Sequence, residues 1–273
     1  MEVTKLIDEG LLQSFEGKRI DNDTDLSMPL LMLNPKSPVV DVVTTERVAL
    51  ALLCTEPVSS KVTLRLAKGA KASVAVICLS SGVLALDVEQ QGESESRITT
   101  ALLSDANLSC NIRLQGEYAT SEFDGLYIAA DREHASVVLN VRHEVSDCKS
   151  RSMIKGVAVG RATGEFRGLV YVAQDAQRTD AEQQNRNVEL DESHIIALPQ
   201  LEIYADDVRC SHGSTVGRAD EEAVFYMRQR GLSESDARRL LLEGFVQEVA
   251  QRCDVPHICA LMGEEIDKKL LKI

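Results

Sequence analysis

The chain has no tryptophan, and aromatic residues make up only 4% of its 273 positions. A core must therefore be assembled from Val, Leu, Ile and Ala, which suits thin, regularly stacked sheet better than a bulky aromatic centre. No apolar run approaches the roughly 20 residues of a membrane span, and Met1 to Gly10 lacks the basic and apolar segments of a secretory leader. A cytoplasmic protein is expected. Basic residues are outnumbered, 30 against 43 acidic, and the net charge of −13 disfavours binding to nucleic acid or to an anionic membrane. The seven cysteines are scattered, odd in number and contain no C-x-x-C pair, so neither a disulfide framework nor a closed zinc site is expected. Most should be small buried hydrophobes. Also missing are G-x-x-x-x-G-K-[ST], G-x-G-x-x-G after a strand, G-x-S-x-G and H-E-x-x-H. A nucleotide-driven function would need another subunit.

What is present, 44% hydrophobic and 27% charged residues, is the balance of a globular chain long enough for a sizeable core. Residues 1–45 read as a partly helical lead-in. Val3, Leu6, Ile7, Leu11 and Leu12 recur at helical spacing, and the prolines of Ser27 to Pro38 then bar a long regular element. From 46 to 217 the period changes to two, as at Val62, Leu64 and Leu66, at Leu108, Cys110, Ile112 and Leu114, and at Val137, Leu139, Val141 and His143. Breakers such as Lys68-Gly69, Gln115-Gly116 and Arg167-Gly168 separate the runs. More than ten short strands without βαβ spacing leave a sandwich, a barrel or a solenoid, and the uniform small aliphatics at inward positions favour a β-helix although no strict repeat is visible.

Residues 218–273 read as helices. Asp220 can cap the first, with Glu221 and Glu222 at its positive end and Gly231 as a left-handed stop. Ser233 with Asp236 resembles a capping box for a second, whose apolar stripe is expected to run from Leu240 to Val249. A third is expected over Glu264 to Leu271.

The one constellation of chemical interest lies in Pro199 to Gly217, PQLEIYADDVRCSHGSTVG. If Leu201 to His212 is one extended strand, Val208, Cys210 and His212 share a face, so a thiol and an imidazole meet the same space. Spacing alone leaves two readings open, a pair of donors for a soft metal or a small buried residue beside a hydrogen-bonded histidine. Cys253, His257 and Cys259 form a second group interrupted by Pro256, His143 reads as a satisfied core histidine, and Asp206-Asp207 fits a turn as well as a cation site.

Three blocks carry a resemblance: Pro199 to Gly217, then FYMRQRGLSESDAR at Phe225 to Arg238, then Gly244, Phe245, Glu248 and Val249. With the TDA-Q-N wording inside Phe166 to Leu190, and RHEVSDCKSRS at Arg142 to Ser152, they make the chain resemble the SufB/SufD family of iron–sulfur cluster assembly proteins, SufD-like branch, with a shortened N-terminus. The resemblance implies a mainly β chain, a right-handed parallel β-helix with a C-terminal helical domain. It implies a scaffold or accessory subunit and not an enzyme, with ATP hydrolysis left to a SufC-type ABC ATPase docked on the helices, where Phe225, Tyr226, Arg230, Gly231, Leu240 and Phe245 are the candidate contacts. The β-helix would pair with a SufB-like chain or a second copy of itself. Cys210 and His212 would meet iron or a nascent cluster transiently at that interface, with no stably held cofactor. The scaffold cysteine of the SufB branch would fall at Ser193, a poor ligand substitute. A homodimeric interaction or regulatory module without cluster chemistry is the rival reading. A carbohydrate-acting β-helical enzyme would need paired carboxylates along one sheet, and only the adjacent Asp206-Asp207 is found.

Overall fold

The computed structural model describes residues 3–218 and 220–273; Met1, Glu2 and Ala219, and the side chains of Val3 and Thr4, lie outside the described residues. Seventeen strands alternate between two parallel sheets, odd-numbered strands forming one sheet of nine and even-numbered strands one of eight. Consecutive strands therefore never pair; each pairs with the strand two places on, as winding a chain into a parallel β-helix requires. The first sheet runs from Gln13–Ser14 to Arg209–Gly217, and the second from Arg19–Ile20 to His194–Ile203. Strand pairing extends into the segment expected as a lead-in, where Leu30–Leu33 registers on Leu50 to Leu53 and Val39–Val42 on Thr63 to Leu66.

The repeat that letters alone do not show is one of register. Arg47, Lys71 and Glu95 stack at steps of 24 residues, and the column continues through Thr120, Lys149, Asp180 and Arg209 at steps of 25, 29, 31 and 29. Because the coil lengthens along the axis, no fixed period survives in the sequence.

Interior columns change character in the same direction. One reads Leu50, Val74, Ile98, Phe123, Ser152, Gln183 and His212; another reads Cys54, Cys78, Leu102, Tyr127, Gly156, Asn187 and Val216. The early coils are the aliphatic ladder that composition predicts, whereas the late ones are polar. Gly156 marks the crossover, since a Cβ there would lie 2.1 Å from Tyr127 Cζ. Only glycine lets the Tyr127 ring pass so that its hydroxyl donates to Asn187 Oδ1 at 2.7 Å.

The described residues also form four helices: α1 (Val3–Asp8), α2 (Glu221–Gln229), α3 (Glu234–Ala250) and α4 (Ile258–Leu270). The caps follow expectation, Asp220 accepting from the Glu222 and Ala223 amides and Ser233 from the Asp236 amide, while Gly231 stands at φ +95°. Two details differ. The buried stripe of α3 is Ala237, Leu242, Val246, Val249 and Ala250, leaving Leu240 exposed, and α4 begins at Ile258, six residues before the expected Glu264. Both shifts have one cause. The outer face of the first sheet is itself apolar, with Leu53, Ile77, Leu126, Ile128 and Val157 buried beneath α1, α3 and α4, and that surface selects which helix face turns inward.

Candidate functional site

The expected single strand from Leu201 to His212 is two. The second sheet ends at Ile203, and a new strand of the first sheet starts at Arg209. Asp206-Asp207 makes the turn between them, the Asp207 amide donating to Gln177 Oε1 at 2.9 Å and its carbonyl accepting from the Arg178 amide at 2.6 Å. Turn chemistry interrupts the alternation.

Cys210 and His212 nevertheless share a face. Their partners in register are Ala181 and Gln183, both interior, so the two side chains continue the interior columns into the last coil, about 7 Å apart along the strand. Their strand and His194–Ile203 end their sheets, so both leave a backbone edge unpaired. Cys210 is half-buried against the cluster of Val170, Val172, Ala176, Ala181 and Ala205, and burial pushes its thiol up. His212 is exposed.

The floor beneath His212 is polar. Asn187 Nδ2 donates to Asn185 Oδ1 at 2.6 Å, and Ser214 Oγ donates to the same oxygen at 3.1 Å. Gln183 is fully buried, yet neither atom of its amide has a hydrogen-bond partner. A groove of about 390 Å³ opens here, bounded by Gln183, Asn185, His212 and Ser214 among others. A thiol, an imidazole and an unsatisfied carboxamide thus lie along an open edge; thiolate and imidazole are ligand types that iron and iron–sulfur clusters accept. Among the described residues no three His, Cys, Asp or Glu side chains converge as a metal site.

The other candidates fall elsewhere. Ser193 lies at the far end of the neighbouring strand, its hydroxyl within 2.8 Å of the Ala158 carbonyl and 2.7 Å of that of Leu190. Eight residues of strand separate the levels of Ala181 and Glu189, about 26 Å, so Ser193 is part of a turn remote from Cys210. His143 is fully buried and only half satisfied: Nε2 meets Ser150 Oγ at 2.9 Å, Nδ1 has no partner, and burial draws its pKa down to about 4.

On the helices, Phe225, Tyr226 and Leu240 are 62%, 57% and 48% exposed, and Arg230 lies over the Tyr226 ring at 4.4 Å. Phe245 differs. Its ring is partly buried under Lys155 Nζ at 4.5 Å, and that ammonium donates to the Phe245 carbonyl at 2.7 Å and to Glu248 at 2.5 Å. Lys155 and Asp124, which pairs with Arg252 at 3.4 Å, tie α3 to the β-helix and were missed by reading motifs. The available signal was a lone charge in the run MIKGVAV, where both faces of the strand are otherwise apolar. Such a charge marks an outer face that something covers.

The fold and the open end thus define a parallel β-helix scaffold with an appended helical domain and two free sheet edges. The chain belongs to the SufBD family of iron–sulfur cluster assembly proteins: the family described as "SUF system FeS cluster assembly, SufBD core domain" matches residues 58–245, a span that begins well upstream of the motifs quoted above and includes most of them. The iron–sulfur cluster assembly protein SufD of Escherichia coli (strain K12) is 36% identical over 140 residues, 51% of this chain and 33% of that protein. A SufBD family protein of Mycobacterium leprae (strain TN) is 35% identical over 172 residues, 60% of this chain and 44% of its own. One from Synechocystis is 38% identical over 154 residues, 55% and 33% respectively. The matches therefore span less than half the length of these curated relatives. No helix among the described residues is long and apolar enough to cross a membrane.

Proposed function

We propose that this chain is the SufD-like member of an iron–sulfur cluster assembly complex. In this reading its two open sheet edges pair with a SufB-like chain or a second copy, and its helices dock a SufC-type ATPase. The observation that carries the reading is the last coil, where His212 lines a polar groove and Cys210 follows on the same face of the strand, beside two unpaired edges. Continuing the sheets across a two-fold axis would satisfy those edges and bring a partner's donors over the groove. Iron or a nascent cluster is then cargo, met by Cys210 and His212 from one side. The chain carries no phosphate loop, so ATP hydrolysis falls to the docked subunit.

Motion of that subunit has a route inward. The ion pairs of Lys155 with Glu248 on α3, of Asp124 with Arg252 just beyond it, and of Glu133, in the turn before His134–His143, with Lys269 on α4 connect the helices to the β-helix. Pulling on the helices therefore loads the strands that precede the last coil.

His212→Ala is expected to leave folding intact, because the imidazole is exposed, and to lower cluster yield in anaerobic reconstitution with a SufB-like chain and the ATPase, read by absorbance. Yield equal to wild type would remove the role given to this histidine. Failure of the wild-type chain to support cluster formation with those partners would favour an interaction module without cluster chemistry.

A further inference from the structure

We propose that Cys253 and Cys259, at the junction of α3 and α4, are a redox-active dithiol that closes to a disulfide when a hydroperoxide oxidises Cys259. This site stands apart from the open end of the β-helix and does not depend on the function proposed above.

Three observations converge on it. First, Cys259 Sγ donates to the carbonyl oxygens of Cys253 and Val255, at 2.9 Å each, which holds its sulfur against residue 253. Second, Cys259 is the second residue of the thirteen-residue α4, whose cap residue His257 makes no side-chain cap hydrogen bond. Ionisation of Cys259 gives up its bonds to those carbonyls, and the positive end of α4 offsets part of that loss. Third, accessibility singles out this thiol. Cys54, Cys78, Cys110 and Cys148 are buried within the β-helix, and burial pushes up the half-exposed Cys210. Cys259 is half-exposed too but is drawn down to about 7, chiefly by the neighbouring Cys253 thiol, which is itself pushed up by Cys259 and by burial. One accessible, acidic thiol beside one sheltered, protonated thiol is the division of labour of an attacking and a resolving cysteine.

The chemistry balances with one peroxide. The Cys259 thiolate attacks a peroxide oxygen, the O–O bond breaks, and the departing hydroxide takes a proton to leave as water, giving Cys259 sulfenic acid. The Cys253 sulfur, losing its proton, then attacks the Cys259 sulfur; the S–O bond breaks and a second water leaves. Two thiols and one hydrogen peroxide become one disulfide and two waters. The bond would tie the end of α3 to the start of α4 across the loop that Asp254 anchors to the first sheet, through Ser73 Oγ at 2.9 Å and Arg97 at 3.5 Å. Oxidation would thus be felt where the helices meet the β-helix.

The test uses the full chain, reduced and then exposed to hydrogen peroxide, with free thiols alkylated and mapped by mass spectrometry. The expected first product is the 253–259 disulfide, reversed by a dithiol reductant. In Cys253→Ser the Cys259 sulfenic acid should persist and be trapped by a dimedone probe, and in Cys259→Ser residue 253 should stay reduced. At pH 7 the larger thiolate fraction of Cys259, offset by the weaker nucleophilicity of an acidic thiol, should make it alkylate about fivefold faster than an unperturbed peptide thiol. Oxidation beginning at Cys210, over-oxidation of Cys259 with no disulfide in the wild type, or alkylation no faster than the peptide would each overturn the proposal. Should Cys253→Ser fail to fold, the wild-type mapping and the alkylation rate still decide it.

Discussion

A chain ending at Arg218 should bind no SufC-type ATPase, and it should also precipitate. The second effect follows from the fold. Removing α2, α3 and α4 strips the cover from Leu53, Ile77, Leu126, Ile128 and Val157 and opens a contiguous apolar face on the first sheet. Truncation alone therefore cannot separate docking from folding, and the exposed side chains can. Phe225 and Leu240 are exposed to water, so changing both to alanine should lower the stability read from urea unfolding by no more than about 0.5 kcal/mol each. If the helices are the docking surface, each aromatic or aliphatic anchor is worth about 2 kcal/mol of association, and the double variant should weaken ATPase binding on the order of a thousandfold. Titration calorimetry measures it. Unchanged affinity in a folded double variant would place the ATPase elsewhere.

Phe245 belongs to a different experiment. The family resemblance groups it with Phe225 and Leu240 as a docking contact, but its ring is held under Lys155 and its carbonyl accepts from the same ammonium. Substituting it would disturb the junction first. Side-chain identity and helical spacing do not distinguish an apolar residue that faces a partner from one that faces its own β-helix. That choice is made by the outer face of the first sheet, assembled from strands up to 200 residues away in sequence.

The same division explains what could be read in advance. Alternation along single strands, at Leu108 to Leu114 or Val137 to His143, is a local property, and those strands and their inward faces are where periodicity puts them. The winding of the strands into one solenoid is not local. Its steps of 24 to 31 residues blur any repeat, and the parallel β-helix was legible through the family wording and the small aliphatic columns. At the candidate site the shared face of Cys210 and His212 needed only the period of two. That the floor beneath His212 is polar, with an unsatisfied Gln183 amide, depends on register between Ser152, Gln183 and His212 across two coils, which no spacing in the sequence displays.

Acid should reveal two buried groups that conceal one another. His143 is held neutral in the folded chain, its pKa drawn down to about 4 by burial, so between pH 6.5 and 4 the unfolded state takes up a proton that the folded state refuses. Stability is lost as pH falls through that window, by about 3 kcal/mol in all. Asp124 does the reverse. Burial raises its carboxyl to about 6 against the pull of Arg252, with Glu122 and Glu248 pushing the same way as burial, so the folded state takes up a proton before the unfolded state does. That term adds about 3 kcal/mol of stability as pH falls from 6 to 3.8. The two slopes are opposite and of similar size between pH 6 and 4. Asp124→Asn keeps the shape of the site and deletes one of them. Its stability, from urea unfolding at several pH values, should therefore fall by about 2 kcal/mol more than that of wild type between pH 6 and 4. Carboxylates remote from Asp124 titrate alike in both proteins and drop out of the difference, and Glu122 and Glu248, which lose a neighbouring charge, are held fixed by making the same comparison in a Glu122→Gln, Glu248→Gln background. Parallel profiles would mean that Asp124 is already protonated at pH 7 or never is, and that the junction of α3 with the β-helix carries no titrating charge in this range.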